Sequence, residues 1–187
     1  MDMHELIATR RTTFSFQDRP VPEDVVRRAL QAAHWAPNHK HTYPWRFVLV
    51  GPEMKERLAD YFADRTEAKL RSRGADEAEL PAARSAARAK GLAVPCYVVA
   101  YAVQEGDETR QREDYASTCC AVQNFLLAAW ADGVASGWKS FDTPQAYALF
   151  GLNPAHARIV GLLQLGYETQ RHDGRRPPVE TVVTRTP

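Results

Sequence analysis

Apolar residues in this chain change spacing several times, and each change marks an element. Met3, Leu6, Ile7 and Arg10 fall on neighbouring helical turns and predict a short helix over residues 2–11, followed by an extended segment from Thr12 to Pro20. Pro22 suits a first-turn position and Glu23 and Asp24 suit the positive end of a helix dipole. Val25, Val26, Ala29, Leu30 and Ala33 then repeat at helical spacing, so a second helix is predicted to stop before Pro37. A polar loop, Trp35 to Pro44, leads into a short buried strand from Trp45 to Val50 that ends at Gly51-Pro52.

Residues 53–90 are charged and alanine-rich, with interruptions at Gly74 and Pro81, which predicts two or three helices with exposed faces. Val94 to Val103 is β-branched and aromatic enough for a central strand, and Gln104 to Thr109 reads as a turn. Between Tyr115 and Ala131 the apolar positions leave almost no polar face, so this helix is predicted to be buried nearly all round, with a second subunit covering part of it. Gly133 ends it. A short segment holding Gly137, Trp138, Lys139 and Ser140 precedes a helix from Gln145 to Phe150 and a strand from Arg158 to Tyr167. The last twenty residues, with Arg171, Arg175, Arg176, Pro177, Pro178 and the β-prone Val179 to Val183, are predicted to run as an extended arm. This order of elements, without internal repeats, points to one α+β domain over residues 1–187.

The 187 residues balance 24 Lys and Arg against 23 Asp and Glu, a net charge of +1, so no global field recruits nucleic acid or an anionic membrane, and an anionic ligand must be held locally. No apolar run is long enough for a signal peptide or a membrane span, which makes the cytoplasm the expected compartment. Cys96, Cys119 and Cys120 fit neither a disulfide framework nor a CxxC metal site and read as small buried hydrophobes.

Four places could carry chemistry. Arg10-Arg11-Thr12 offers two guanidinium groups and a hydroxyl to a phosphate, although basic residues in a last helical turn also complement the dipole. The loop Pro37-Asn38-His39-Lys40-His41-Thr42-Tyr43-Pro44-Trp45 crowds donors and aromatics together; a metal at His39 and His41 is the weaker alternative, since no acidic or thiolate companion is near in sequence. Trp138, Lys139 and Ser140 set an aromatic face, an ammonium and a hydroxyl on consecutive residues, with Trp138 alone reading as core. Arg175-Arg176-Pro177-Pro178 alone reads as a solubilising tail. No GxGxxG, P-loop, GxSxG or HExxH pattern occurs.

In sequence order, these signals resemble the nitroreductase family, most of all its small bacterial members. The resemblance rests on Arg10-Arg11-Thr12, Pro20-Val21-Pro22, Trp35-Ala36-Pro37-Asn38, Tyr43-Pro44-Trp45-Arg46-Phe47, Leu165-Gly166-Tyr167 and Arg175-Arg176-Pro177-Pro178-Val179-Glu180. It implies a mostly antiparallel sheet flanked by helices, an extended C-terminal arm, and a homodimer with FMN in the groove between subunits. Arg10, Arg11 and Thr12 would hold the phosphate, helped by Arg175 or Arg176. Trp35, Asn38 and His39 would come from the partner, and Trp138, Lys139 and Ser140 would line the isoalloxazine, with Lys139 supplying positive charge and a backbone N–H near Gly137 or Trp138 facing N5.

The implied activity is hydride transfer from NAD(P)H through FMN to nitroaromatics, quinones or similar electron-poor acceptors, which demands no catalytic side chain; none is nominated, nor any metal ligand. Flavin storage, flavin breakdown and reductive dehalogenation are the alternatives on the same fold. Three departures from the family pattern stand out: Thr12 replaces a serine, Phe14 and Ser15 stand where many relatives carry a basic residue, and Tyr43 replaces a glutamine.

Overall fold

A four-stranded sheet organises the chain. In the computed structural model, which describes residues 2–171 and 173–186, the strands β1 (Trp45–Leu49), β2 (Cys96–Val103), β3 (Ala135–Lys139) and β4 (Ala157–Gly166) lie in the order β1-β2-β4-β3. Every pairing is antiparallel. β2 and β4 are buried on both faces and carry near-continuous Val, Leu, Ile and Ala, as a central pair should. Their register shifts between Ala100 and Tyr101, where Val160 is the extra residue of a bulge on β4.

Six helices surround the sheet: α1 (Met3–Thr9), α2 (Glu23–His34), α3 (Pro52–Arg71), α4 (Leu80–Leu92), α5 (Glu108–Ala131) and α6 (Pro144–Phe150). One face packs on α2 and α5. Val25, Val26, Ala29 and Ala33 of α2 and Ala121, Val122, Phe125 and Ala129 of α5 meet Val98, Ala100, Leu163 and Leu165 of the sheet in one apolar cluster. The other face packs Tyr97, Val99, Ile159 and Leu162 on Leu58 of α3, on Phe141, and on Ala146 and Tyr147 of α6.

Local chemistry explains the helix ends. Asp2 caps α1 by accepting from the Glu5 N–H at 2.8 Å, and Asp107 caps α5 by accepting from Arg110 at 2.9 Å. Thr143 caps α6, which ends at Gly151 in the left-handed region, where glycine carries no Cβ penalty. α3 and α4 form a hairpin whose contact is too close for large side chains: a Cβ placed on Gly91 would lie 3.1 Å from the Ala59 Cα. Arg84 and Arg88 of α4 tie the hairpin outside by pairing with Asp64 and Glu67, and with Asp60 and Glu56, of α3.

Two predicted elements are corrected. The turn predicted at Gln104 to Thr109 gives way to helix at Glu108, two turns before Tyr115, because the Asp107 cap starts the helix in polar sequence. Within one chain α5 leaves Ala116, Cys120, Gln123, Leu127 and Ala131 as a partly open stripe at helical spacing. In the arm, Val179–Val182 turn as an exposed 3-10 helix instead of continuing extended, the Thr181 N–H donating to the Pro178 carbonyl and the Val183 N–H to the Glu180 carbonyl.

Candidate functional site

Thr12 and Thr13 lie on the outer edge of β3, the open edge on that side of the sheet, before the chain passes to Tyr167 and Glu168, where Phe16 and Gln17 pair. Thr12 forms a parallel bridge with Ser136, and the Thr13 N–H donates to the Ser136 carbonyl at 3.0 Å. Ser136 therefore turns its backbone groups outward. Two residues on, Trp138 does the same by the alternation of a strand, and past Thr13 no backbone group of the described residues covers that edge. Gly137 is required here. A Cβ on it would meet the Phe14 ring at 2.3 Å and the Thr13 carbonyl oxygen at 2.5 Å.

The start of this segment is strongly cationic. Arg10 and Arg11 follow the last turn of α1 and are half-buried. The C-terminal arm returns across them: Thr169 donates to the Ser15 carbonyl at 3.3 Å, Ser15 and Thr169 hydroxyls meet at 2.8 Å, and the Arg11 guanidinium packs where any side chain on Gly174 would stand. Arg176 is thereby brought to Arg10. Burial, then repulsion from Arg11 and Arg176, pulls the Arg10 guanidinium below its ordinary range. Among the described residues no carboxylate pairs with Arg10, Arg11, Arg175 or Arg176. Like charges gathered without a counter-charge are the donor set of a site for a polyanion. Beside them, the Ser136 hydroxyl is buried with no hydrogen-bond partner among the described residues.

Further along the same edge stand Trp138, Lys139 and Ser140. Trp138 is half-buried, its Nε1–H donating to the Val160 carbonyl at 3.1 Å, so its ring lies over Gly161. The Lys139 ammonium sits 4.5 Å from the Phe62 ring centroid and 5.9 Å from that of Phe14. Burial, then Lys90 and Arg65, draws its pKa below the usual lysine value. Ser140 is exposed.

Trp35, Asn38 and His39 are elsewhere. They precede β1, on the opposite edge of the sheet, with two strands between; at ordinary interstrand spacing that is about 14 Å. Trp35 is 87% exposed. The Asn38 side chain closes its own loop: its carbonyl accepts from the Tyr43 N–H at 2.7 Å and its amide donates to the Thr42 hydroxyl at 2.9 Å, and Thr42 in turn donates to the buried Asp114. Lys40, His41 and Tyr43 all have positive φ, a concentration of strain that the loop holds with those bonds and with Tyr43 stacked on His34 at 5.7 Å. One chain thus brings together Arg10, Arg11, Thr12, Arg176, Trp138 and Lys139, and leaves Trp35, Asn38 and His39 apart. Phe14, Phe62, Lys90 and Gln164, which surround Lys139, escape sequence reasoning because four separate elements supply them.

The nitroreductase family model matches residues 7–167, which contain the whole sheet and every α-helix but the first residues of α1. The chain belongs to the nitroreductase family. Within it, the chain is 29% identical over 191 residues to YfhC of Bacillus subtilis (strain 168), provisionally named an NAD(P)H nitroreductase, covering 95% of this chain and 90% of that one. The crystal structure of a nitroreductase-like family protein from Bacillus cereus superposes with a TM-score of 0.83 at 30% identity, covering 100% of this chain and 96% of the other. A provisionally named nitroreductase of Desulfovibrio desulfuricans, crystallised in complex with FMN, shares the fold with a TM-score of 0.75 at 20% identity over 98% of this chain and 96% of its own. The family fold predicted from the sequence motifs is therefore the observed one, with the sheet wholly antiparallel.

Proposed function

We propose that this chain is a single-domain, cytoplasmic, homodimeric FMN-dependent oxidoreductase that passes hydride from NADH or NADPH to nitroaromatics, quinones or similar electron-poor acceptors. The observation that carries the reading is the uncompensated cluster of Arg10, Arg11 and Arg176 beside the open edge of β3. A phosphate carrying about −1.5 to −2 charges is the counter-ion such a cluster lacks. The FMN complex of the Desulfovibrio protein and the activity in the name of YfhC support the same choice.

Bound FMN would supply the redox chemistry, accepting and returning hydride at its isoalloxazine. The chain's own residues bind and orient it. Arg10, Arg11 and Arg176 would hold the phosphate, with the Thr12 hydroxyl alongside. Arg175 would lie next to this group through its carbonyl, which accepts from Arg176 at 2.8 Å. The outward backbone of β3 at Trp138, with Ser140 beyond it, would present fixed donors to the ring edge, and Lys139 would stabilise negative charge developing there.

The separation of the two half-sites supports the dimer. The Trp35, Asn38 and His39 loop does not reach β3 within its own chain, whereas a second copy packed on the open stripe of α5 would bring its loop to that edge. Among the described residues no helix is long and apolar enough to cross a membrane, and none group three or more His, Cys, Asp or Glu for a metal.

The test is an absorption spectrum of the purified protein before and after anaerobic NADH, then NADPH. The expected result is a flavin spectrum that bleaches with one or both donors. Flavin that stays oxidised with both would replace this reading by flavin storage, and failure to take up added FMN would remove the cofactor assignment.

A further inference from the structure

The cavities around Lys139 and Gln164 belong to the flavin-ring site described above. A larger one, about 700 Å³, lies outside it as a groove between α3 and α6. One side chain joins them: Arg65 lines both the cavity beside Trp138 and Ser140 and this groove. A ligand that fills the groove therefore has one end at the flavin-ring site.

The sorting of charge round α3 decides what the groove can hold. Glu56, Asp60, Asp64 and Glu67 recur at helical spacing, and all pair with Arg84 or Arg88 of α4. The next stripe round the helix reads Arg57, Tyr61, Arg65 and Ala68 and lines the groove. There the Tyr61 hydroxyl meets the Thr143 hydroxyl at 3.1 Å and accepts from Arg65 at 3.1 Å. Neither Arg57 nor Arg65 has an ion pair among the described residues. The α6 side contributes Thr143, Gln145, Ala148 and Leu149, none of them charged. Asp60 and Asp64 also reach the groove, but each holds an α4 arginine through Oδ1, at 2.7 Å and 2.6 Å, so their charge is met from the other side. α3 has turned its acids to α4 and left two guanidinium groups toward α6 without a counter-charge.

Those two arginines are eight residues apart, about 12 Å along the helix axis, too far for one phosphate to satisfy both. Guanidinium groups favour phosphate through bidentate hydrogen bonds, and the Tyr61 ring with Ala148 and Leu149 offers a flat base an aromatic and aliphatic surface. The groove thus matches a nucleotide that carries phosphate at two separate positions and ends at the flavin.

We propose that this groove binds the adenosine half of the nicotinamide donor, with the diphosphate at Arg65 and the ribose 2′-phosphate at Arg57, and that the enzyme therefore prefers NADPH to NADH. This rests on the oxidoreductase reading above and names its donor. The 2′-phosphate is the whole difference between the two donors, and it would sit two helical turns from Arg65, far from the transferred hydride. Its contacts are the same before and during hydride transfer, so the preference belongs in KM and not in kcat.

The experiment uses the FMN-loaded protein, in which the Arg10 cluster is already occupied, and has two readouts. With a quinone as acceptor, KM for NADPH should lie about tenfold or more below that for NADH, the range of a hydrogen bond between charged groups, at similar kcat. Arg57→Met should collapse this ratio by raising the NADPH KM, whereas Arg65→Met should raise KM for both donors. Arg57 is exposed and makes no ion pair among the described residues, so its replacement leaves the fold in place. The second readout needs no redox chemistry: adenosine 2′,5′-bisphosphate should bind saturably by calorimetry, about tenfold more tightly than 5′-AMP, and Arg57→Met should bring the two together. Equal KM values, a preference for NADH, or an NADPH preference that survives Arg57→Met would overturn the assignment and leave the oxidoreductase reading intact. Flavin that neither donor bleaches would overturn that reading instead, and the bisphosphate titration alone would then decide the groove.

Discussion

The two edges of the sheet are built in opposite ways. At the β3 edge the backbone is regular, the strand is covered at Ser136 by the Thr12–Thr13 segment, and the tension is electrostatic: Arg10, Arg11 and Arg176 repel one another without a carboxylate among the described residues. At the β1 edge the charges are quiet and the tension is conformational, with three non-glycine residues held at positive φ by Asn38, Thr42 and Asp114. Each kind of strain anticipates a different missing partner. Unpaired cations await an anion, and a rigid, exposed aromatic loop awaits a surface. The lesson is that, of the two half-sites proposed, one is written in charge and the other in backbone shape, and one chain keeps them on opposite sides of its sheet.

Separating the halves should have the largest effect. Cys120→Glu places a carboxylate on the open stripe of α5, where a second copy would bury it. The expected outcome is a monomer or aggregate on gel filtration that retains no FMN; a stable, flavin-loaded dimer would mean that the halves meet by another surface. Next comes the charged edge alone. Arg10→Ala should weaken FMN binding by about 1.5–3 kcal/mol, the range for hydrogen bonds to charged groups, while the far-ultraviolet dichroism stays native. Fluorescence titration checks it, and unchanged affinity would remove Arg10 from the phosphate site. The smallest effect belongs to the strained edge. Lys40 is exposed at φ 57°, so Lys40→Gly should relieve left-handed strain and raise unfolding stability by about 0.5–1 kcal/mol, read from the urea midpoint. A loss of stability would show that the Lys40 side chain, and not the loop's backbone bonds, holds the turn.

Much of this was legible in the sequence because local pattern and final environment agree. α2 shows its buried stripe at helical spacing, β2 and β4 show runs of β-branched and aliphatic residues, and Pro44-Trp45 and Gly51-Pro52 bracket β1. β3 was not legible as a strand. Ala135-Ser136-Gly137-Trp138-Lys139 has neither clear alternation nor strong β propensity, and it becomes extended because β4 pairs it on one side and Thr12–Thr13 on the other. The first turns of α5 were hidden by their polarity, and the valines of the arm by a propensity that tertiary context overrode. In the site, the arginine cluster could be foreseen from two short motifs. The cavity at Gln164 could not, since a glutamine inside an apolar strand announces neither its burial nor the four elements that wall it.

The exposed Trp35 has a consequence for how the molecule reports on itself. Of the four tryptophans, Trp45 and Trp130 are buried and Trp138 is half-buried under its own hydrogen bond, which leaves one indole almost wholly in water. Its emission should dominate the red side of the protein's fluorescence while chains are apart, and shift blue and dim as a neighbouring surface or a flavin comes over it. The chain therefore carries an intrinsic optical gauge, at the position where the proposed dimer would bring a second polypeptide to the first.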